Sequence, residues 1–153
     1  MIPSWLVIGG VALIVAGAGS SITPNLQWFN RQRRPSWLTF EKFIPVIWTV
    51  VLICGAWSAY LVWQEQPGNW FLMAFYLIVE IAIIAYTPVM CAFRSLMLGT
   101  IIGATGTLLG AILAVLVWPI SLWAFVLLLP YLLWSPIGTY VTWRMAQLNP
   151  GDA

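Results

Sequence analysis

Apolar positions along this chain come in long unbroken blocks rather than in stripes. Five blocks run from about Trp5 to Ile22, Phe43 to Trp63, Trp70 to Cys91, Leu96 to Val117 and Ser121 to Met145. A transmembrane helix needs about 20 consecutive apolar residues, whereas a membrane barrel needs alternating strands of about 10. The blocks match the first length and do not alternate. The pattern therefore predicts an all-α membrane protein, a bundle of five transmembrane helices forming one domain over residues 1–153. The breaks carry matching punctuation: Pro24 and Pro35 in the link 23–42, Pro67-Gly68 in the link 64–69, and Trp118-Pro119 before the last block. Pro45 falls in the first turn of the second block, where proline is tolerated. Pro130 and Pro136 lie inside the fifth block and predict freed carbonyls facing protein or a cavity.

Composition agrees. The chain is 62% hydrophobic and 7% charged, against about 25% charged in soluble domains. Such a chain cannot clothe a water-facing surface, and its net charge of +2 is too small to suggest a nucleic-acid partner. The placement of the cations is more informative than their sum. Arg31, Arg33, Arg34 and Lys42 lie in the first link, Arg94 follows the third block and Arg144 ends the fifth. Five spans put all of these on one side and only Glu65 on the other, so the positive-inside rule predicts the N-terminus outside and the C-terminus in the cytoplasm. No Lys or Arg precedes the first block, which argues against a cleaved signal there.

Small residues predict close helix contacts. Gly99, Gly103, Gly106 and Gly110 share one face of the fourth block, and Gly9, Ala12, Ala16 and Gly19 make a narrower stripe on the first. The partner for the glycine face is a helix of the same chain or, alternatively, a second copy in a homodimer.

Candidate chemistry is sparse. The chain has no histidine, and Cys54 and Cys91 sit in apolar runs without metal-ligand spacing, so no metal site is expected. There is no catalytic triad, carboxylate pair or phosphate loop, hence no catalytic residues. Two features stand out. The first is eleven tryptophans. Trp5, Trp63, Trp70, Trp118 and Trp123 suit membrane interfaces, but Trp48, Trp57 and Trp134 lie deeper. A buried indole needs a partner for its N–H or a flat ligand to stack on, so ligand wall and simple packing both remain open for these three. The second is Glu80, at the centre of the third block, where a carboxylate costs about 2.5–3.5 kcal/mol on insertion scales. It is expected to face the bundle interior as a ligand contact or proton carrier, or else to make a structural hydrogen bond.

The motifs themselves resemble a known family. WF-x4-RPSW from Trp28 to Trp37, Trp48-Thr49 eleven residues further on, and YLVW from Tyr60 resemble the translocator proteins, also called tryptophan-rich sensory proteins or peripheral benzodiazepine receptors. LPYLLW from Leu129 to Trp134, followed by Gly138, and Tyr86-Thr87-Pro88 with Arg94 add to the match. The resemblance implies a five-helix bundle, usually dimeric, with a pocket opening toward the first link. It implies porphyrin or haem as the ligand and no obligatory cofactor. It also implies Trp48 and Trp134 as pocket walls, Gly138 beside the ligand, and Trp28, Phe29, Pro35 and Trp37 as a lid. Sequestration, transport or signalling would be the role; light-dependent porphyrin breakdown and a subunit of a larger membrane complex are the alternatives. The chain departs from the pattern at Thr39-Phe40, Leu52, Ile83 and Val141-Thr142, and Tyr140 lacks the Leu or Val that a cholesterol motif needs before it. Ile83 stands where the family has a polar residue near the pocket. Glu80, one helical turn earlier on the same face, is expected to take over that role.

Overall fold

The structure, a computed structural model, describes residues 2–153, so Met1 lies outside the described residues. Among these there are six α-helices and no strands: α1 (Ser4–Ser21), α2 (Leu26–Asn30), α3 (Ile44–Glu65), α4 (Trp70–Phe93), α5 (Leu96–Val117) and α6 (Leu122–Leu148). Four of them, α3 to α6, are long and apolar enough to cross a membrane. At 22 to 27 residues they reach about 33–40 Å, against a hydrocarbon core of about 30 Å. The helix α1 is equally apolar but shorter, 18 residues or about 27 Å.

Local chemistry sets most helix starts. Asn69, Ser95 and Ser121 cap α4, α5 and α6, each accepting a hydrogen bond from the backbone N–H three residues on at 3.1–3.2 Å. Pro45 occupies the first turn of α3. Arg94, left-handed at φ 49°, closes α4. The interior prolines do not end their helices: α4 continues through Pro88, and α6 through both Pro130 and Pro136.

The helices form a ring in the order α1, α3, α6, α5, α4 and back to α1. The α5–α6 contact is the most extensive, while α3 and α4 scarcely touch. The glycine face explains the tight pair. A Cβ on Gly103 would meet Thr139 of α6, and on Gly106 or Gly110 it would meet Tyr131. Thr107 Oγ1 and Ser135 Oγ add a hydrogen bond at 2.6 Å across the same seam. The partner of Gly103, Gly106 and Gly110 is therefore α6 of the same chain, while Gly99 closes against Met90 of α4. Gly19 closes against Ile84, docking the far end of α1 on α4.

Outside the ring, large apolar side chains such as Leu13, Val115, Trp123 and Leu133 are exposed. Water would not tolerate that surface and lipid would, so the molecule is a multi-pass integral membrane protein. Trp57, one of the three deep tryptophans, also faces outward at 57% exposure.

Candidate functional site: a cavity between α1, α3 and α4

Because α3 and α4 diverge and α1 only bridges them, the ring leaves a half-open cavity of about 920 Å³. Its walls are apolar, from Val7 and Val11 of α1, Ala56 and Ala59 of α3, and Met73 and Leu77 of α4. Leu113 of α5 and Leu128 and Tyr131 of α6 line it as well. It runs from Ile2, Trp63 and Trp70 at one end of the bundle to Leu52, Glu80 and Ile83 near mid-helix. Trp63 and Trp70 meet edge to face there, ring centroids 4.9 Å apart.

Three of the residues singled out in the sequence thus share this cavity: Leu52, Glu80 and Ile83. Glu80 is half-buried, and its Oε2 is buried with no hydrogen-bond partner. The hydroxyls around it are engaged elsewhere. Ser58, fully buried, donates to the Ala124 carbonyl at 2.6 Å, so the 2.6 Å contact between Tyr76 Oη and Ser58 Oγ uses the tyrosine's proton. The Tyr131 hydroxyl points to α5, 2.7 Å from where a Cβ on Gly106 would stand.

The other residues form a second group toward the opposite end and do not line the cavity. Trp48 and Trp134 meet edge to face at 6.4 Å and 87°. Phe40, from the link 23–42, packs on Trp134 in the same manner at 6.2 Å. Trp134 is only 8% exposed and its indole N–H has no partner. Gly138 lies against that nitrogen, since a Cβ there would sit 3.4 Å from Nε1. Trp37 stacks on Tyr140 at 5.8 Å. Trp28 donates from Nε1 to Asp152 at 3.0 Å, and Phe29 carries the Arg34 guanidinium on its ring face at 4.7 Å. The link is thus folded down over the C-terminal end of α6, and the Arg34–Glu41 ion pair at 3.1 Å ties the link to itself.

Sequence reasoning missed Phe40, Tyr76 and the Trp63–Trp70 end. Phe40 stands at a departure from the family motif, and the positions of Trp63 and Trp70 near span ends suit a membrane interface equally well. Tyr76 and Ser58 are detectable only as polar side chains within apolar blocks.

An apolar helical ring around an apolar cavity with one carboxyl group defines a multi-pass membrane protein of the helix-bundle class. The chain belongs to the TspO/MBR family, whose match extends over residues 6–148. Protein CrtK of Rhodobacter capsulatus is 26% identical over 146 residues, covering 93% of this chain and 91% of that protein. Tryptophan-rich protein TspO of Bacillus cereus is 29% identical over 129 residues, 80% of each chain. Tryptophan-rich protein TspO of Chlorobaculum tepidum is 26% identical over 158 residues, 92% of each.

Proposed function

We propose that this protein binds a flat hydrophobic ligand of the porphyrin or haem type inside its helix bundle, for sequestration, transport or signalling. The cavity between α1, α3 and α4 carries this reading: about 920 Å³ lies within the range of about 300–1,000 Å³ typical of small-molecule sites, and its walls are apolar. The aromatic group lies beyond Leu52, outside the cavity lining. Trp48 is one helical turn from Leu52, and the unpartnered indole N–H of Trp134 is a donor awaiting an acceptor. In this reading α1 is the fifth span, Trp28, Phe29 and Trp37 close the inner end, and Gly138 leaves space beside the buried Trp134 nitrogen.

The same reading sets the N-terminus outside and the C-terminus in the cytoplasm. It is supported by the gathering of the link 23–42, the α4–α5 junction and the C-terminal residues at one end. Asn149 exchanges two 3.0 Å hydrogen bonds with the Arg33 backbone, and Arg94 reaches Asn25 at 3.4 Å. That end carries the cations, as a cytoplasmic face does.

Gly55 provides the test. It lines the cavity, and a Cβ there has no neighbour within 4 Å, so a larger side chain enters empty space rather than the packed ring. Protoporphyrin IX titrated in the dark into protein in nanodiscs should quench tryptophan fluorescence saturably. Gly55→Phe should weaken that binding by about tenfold or more while leaving the melting temperature within a few degrees. Equal affinity in Gly55→Phe would remove the cavity as the binding site.

A further inference from the structure

The cavity has a chemical bias that its volume does not reveal. Its lining includes no Lys or Arg, and the chain has no histidine, so Glu80 faces the space without a cation. The tyrosines cannot supply the missing donor, because the Tyr76 proton is committed to Ser58 and the Tyr131 hydroxyl is turned to α5. A buried carboxylate oxygen left without a donor is costly, and native structures rarely retain one without a use. An incoming molecule that brings N–H groups would satisfy Oε2, whereas one that brings a carboxylate to the same level would face like charge in a poorly screened space.

We propose that the cavity preferentially takes amphipathic primary amines, with the ammonium group on Glu80 and the apolar body extending toward Trp63 and Trp70. Ten residues of α4 separate Trp70 from Glu80, giving about 15 Å of apolar path for that body. The amine preference rests on the cavity being the ligand site. It adds that any carboxylates of a larger ligand lie away from Glu80, at the mouth or toward the Trp134 N–H.

The experiment compares 2-(1-naphthyl)ethylamine with 3-(1-naphthyl)propanoic acid, nearly matched in apolar body and opposite in head group. Each is measured by equilibrium dialysis against the full chain in zwitterionic nanodiscs, with empty nanodiscs correcting for partition. Wild type should hold the amine over the acid by about tenfold or more, and Glu80→Gln should collapse that ratio to within about threefold of unity. Gly55→Phe should weaken the amine. A wild-type protein that binds both probes equally, or a preference that survives Glu80→Gln, overturns the proposal, and the wild-type comparison decides even if the variant fails to fold. Protoporphyrin IX run in parallel separates the two readings. If Gly55→Phe blocks the porphyrin while the head-group preference is absent, the cavity stands and the amine site falls. If Gly55→Phe affects neither ligand, both fall.

Discussion

Gly110→Ala should destabilise the ligand-free protein by about 2 kcal/mol or more, although alanine is the better helix former by about 1 kcal/mol. The added methyl group would run into the ring of Tyr131, with Cδ2 at 2.9 Å. That ring is buried in the core shared by α3, α4, α5 and α6, and it must shift for the methyl group to fit. Gly106→Ala meets the same residue at a different atom, the hydroxyl oxygen at 2.7 Å. The two positions therefore respond differently to Tyr131→Phe. In the Tyr131→Phe background Gly106→Ala loses its obstacle and should become neutral or stabilising by up to about 1 kcal/mol, the bare propensity gain. Gly110→Ala should stay destabilising, because the ring carbons remain. Thermal unfolding of the single and double variants in detergent, each compared within its own background, measures this. If Tyr131→Phe rescues both alanines or neither, the packing of α5 on α6 is not as described.

That seam also shows what the sequence discloses and where it stops. The blocks at 43–63, 70–91, 96–117 and 121–145 correspond to α3, α4, α5 and α6 within a few residues, because a bilayer demands long apolar segments and the capping residues Asn69, Ser95 and Ser121 stand at their starts. The glycine spacing identifies a contact face, but only the ring order reveals that α6 fills it at Gly103, Gly106 and Gly110 and α4 at Gly99. The prolines of α6 predict freed carbonyls, and the helix is continuous through both, as neighbouring helices permit in membranes. The short α2 inside the link 23–42 leaves no periodic signal at five residues. Glu80 is legible as an anomaly from its position alone. The cavity is not, since it arises from the separation of α3 and α4 and from how α1 bridges it. Those are relations between elements, and the residues concerned look like ordinary apolar wall. Trp57 illustrates the same gap: depth along the helix is readable, but the outward direction follows from which neighbours α3 finds.

Glu80→Leu should raise the melting temperature of the ligand-free protein while abolishing selection for the amine. A carboxylate at the centre of a span costs about 2.5–3.5 kcal/mol on insertion scales, and the cavity's openness reduces what is recoverable here. About 1–2 kcal/mol of added stability is expected, or roughly 2–8 °C for a domain of this size. Glu80→Gln should gain less, because its amide keeps polar atoms that the cavity does not satisfy. The sign of the Leu variant is the decisive quantity. A carboxyl group serving only as structural glue, tied to a neighbouring helix, would make Glu80→Leu destabilising, as breaking a buried hydrogen bond does. The unpartnered Oε2 argues for the opposite sign. A lower melting temperature for Glu80→Leu than for wild type, in the absence of ligand, would mean that Glu80 has a structural partner, and the case for a ligand donor at that oxygen would collapse with it. A higher one would make Glu80 a residue kept at a cost to folding, which is how groups that serve an incoming molecule rather than the fold commonly behave.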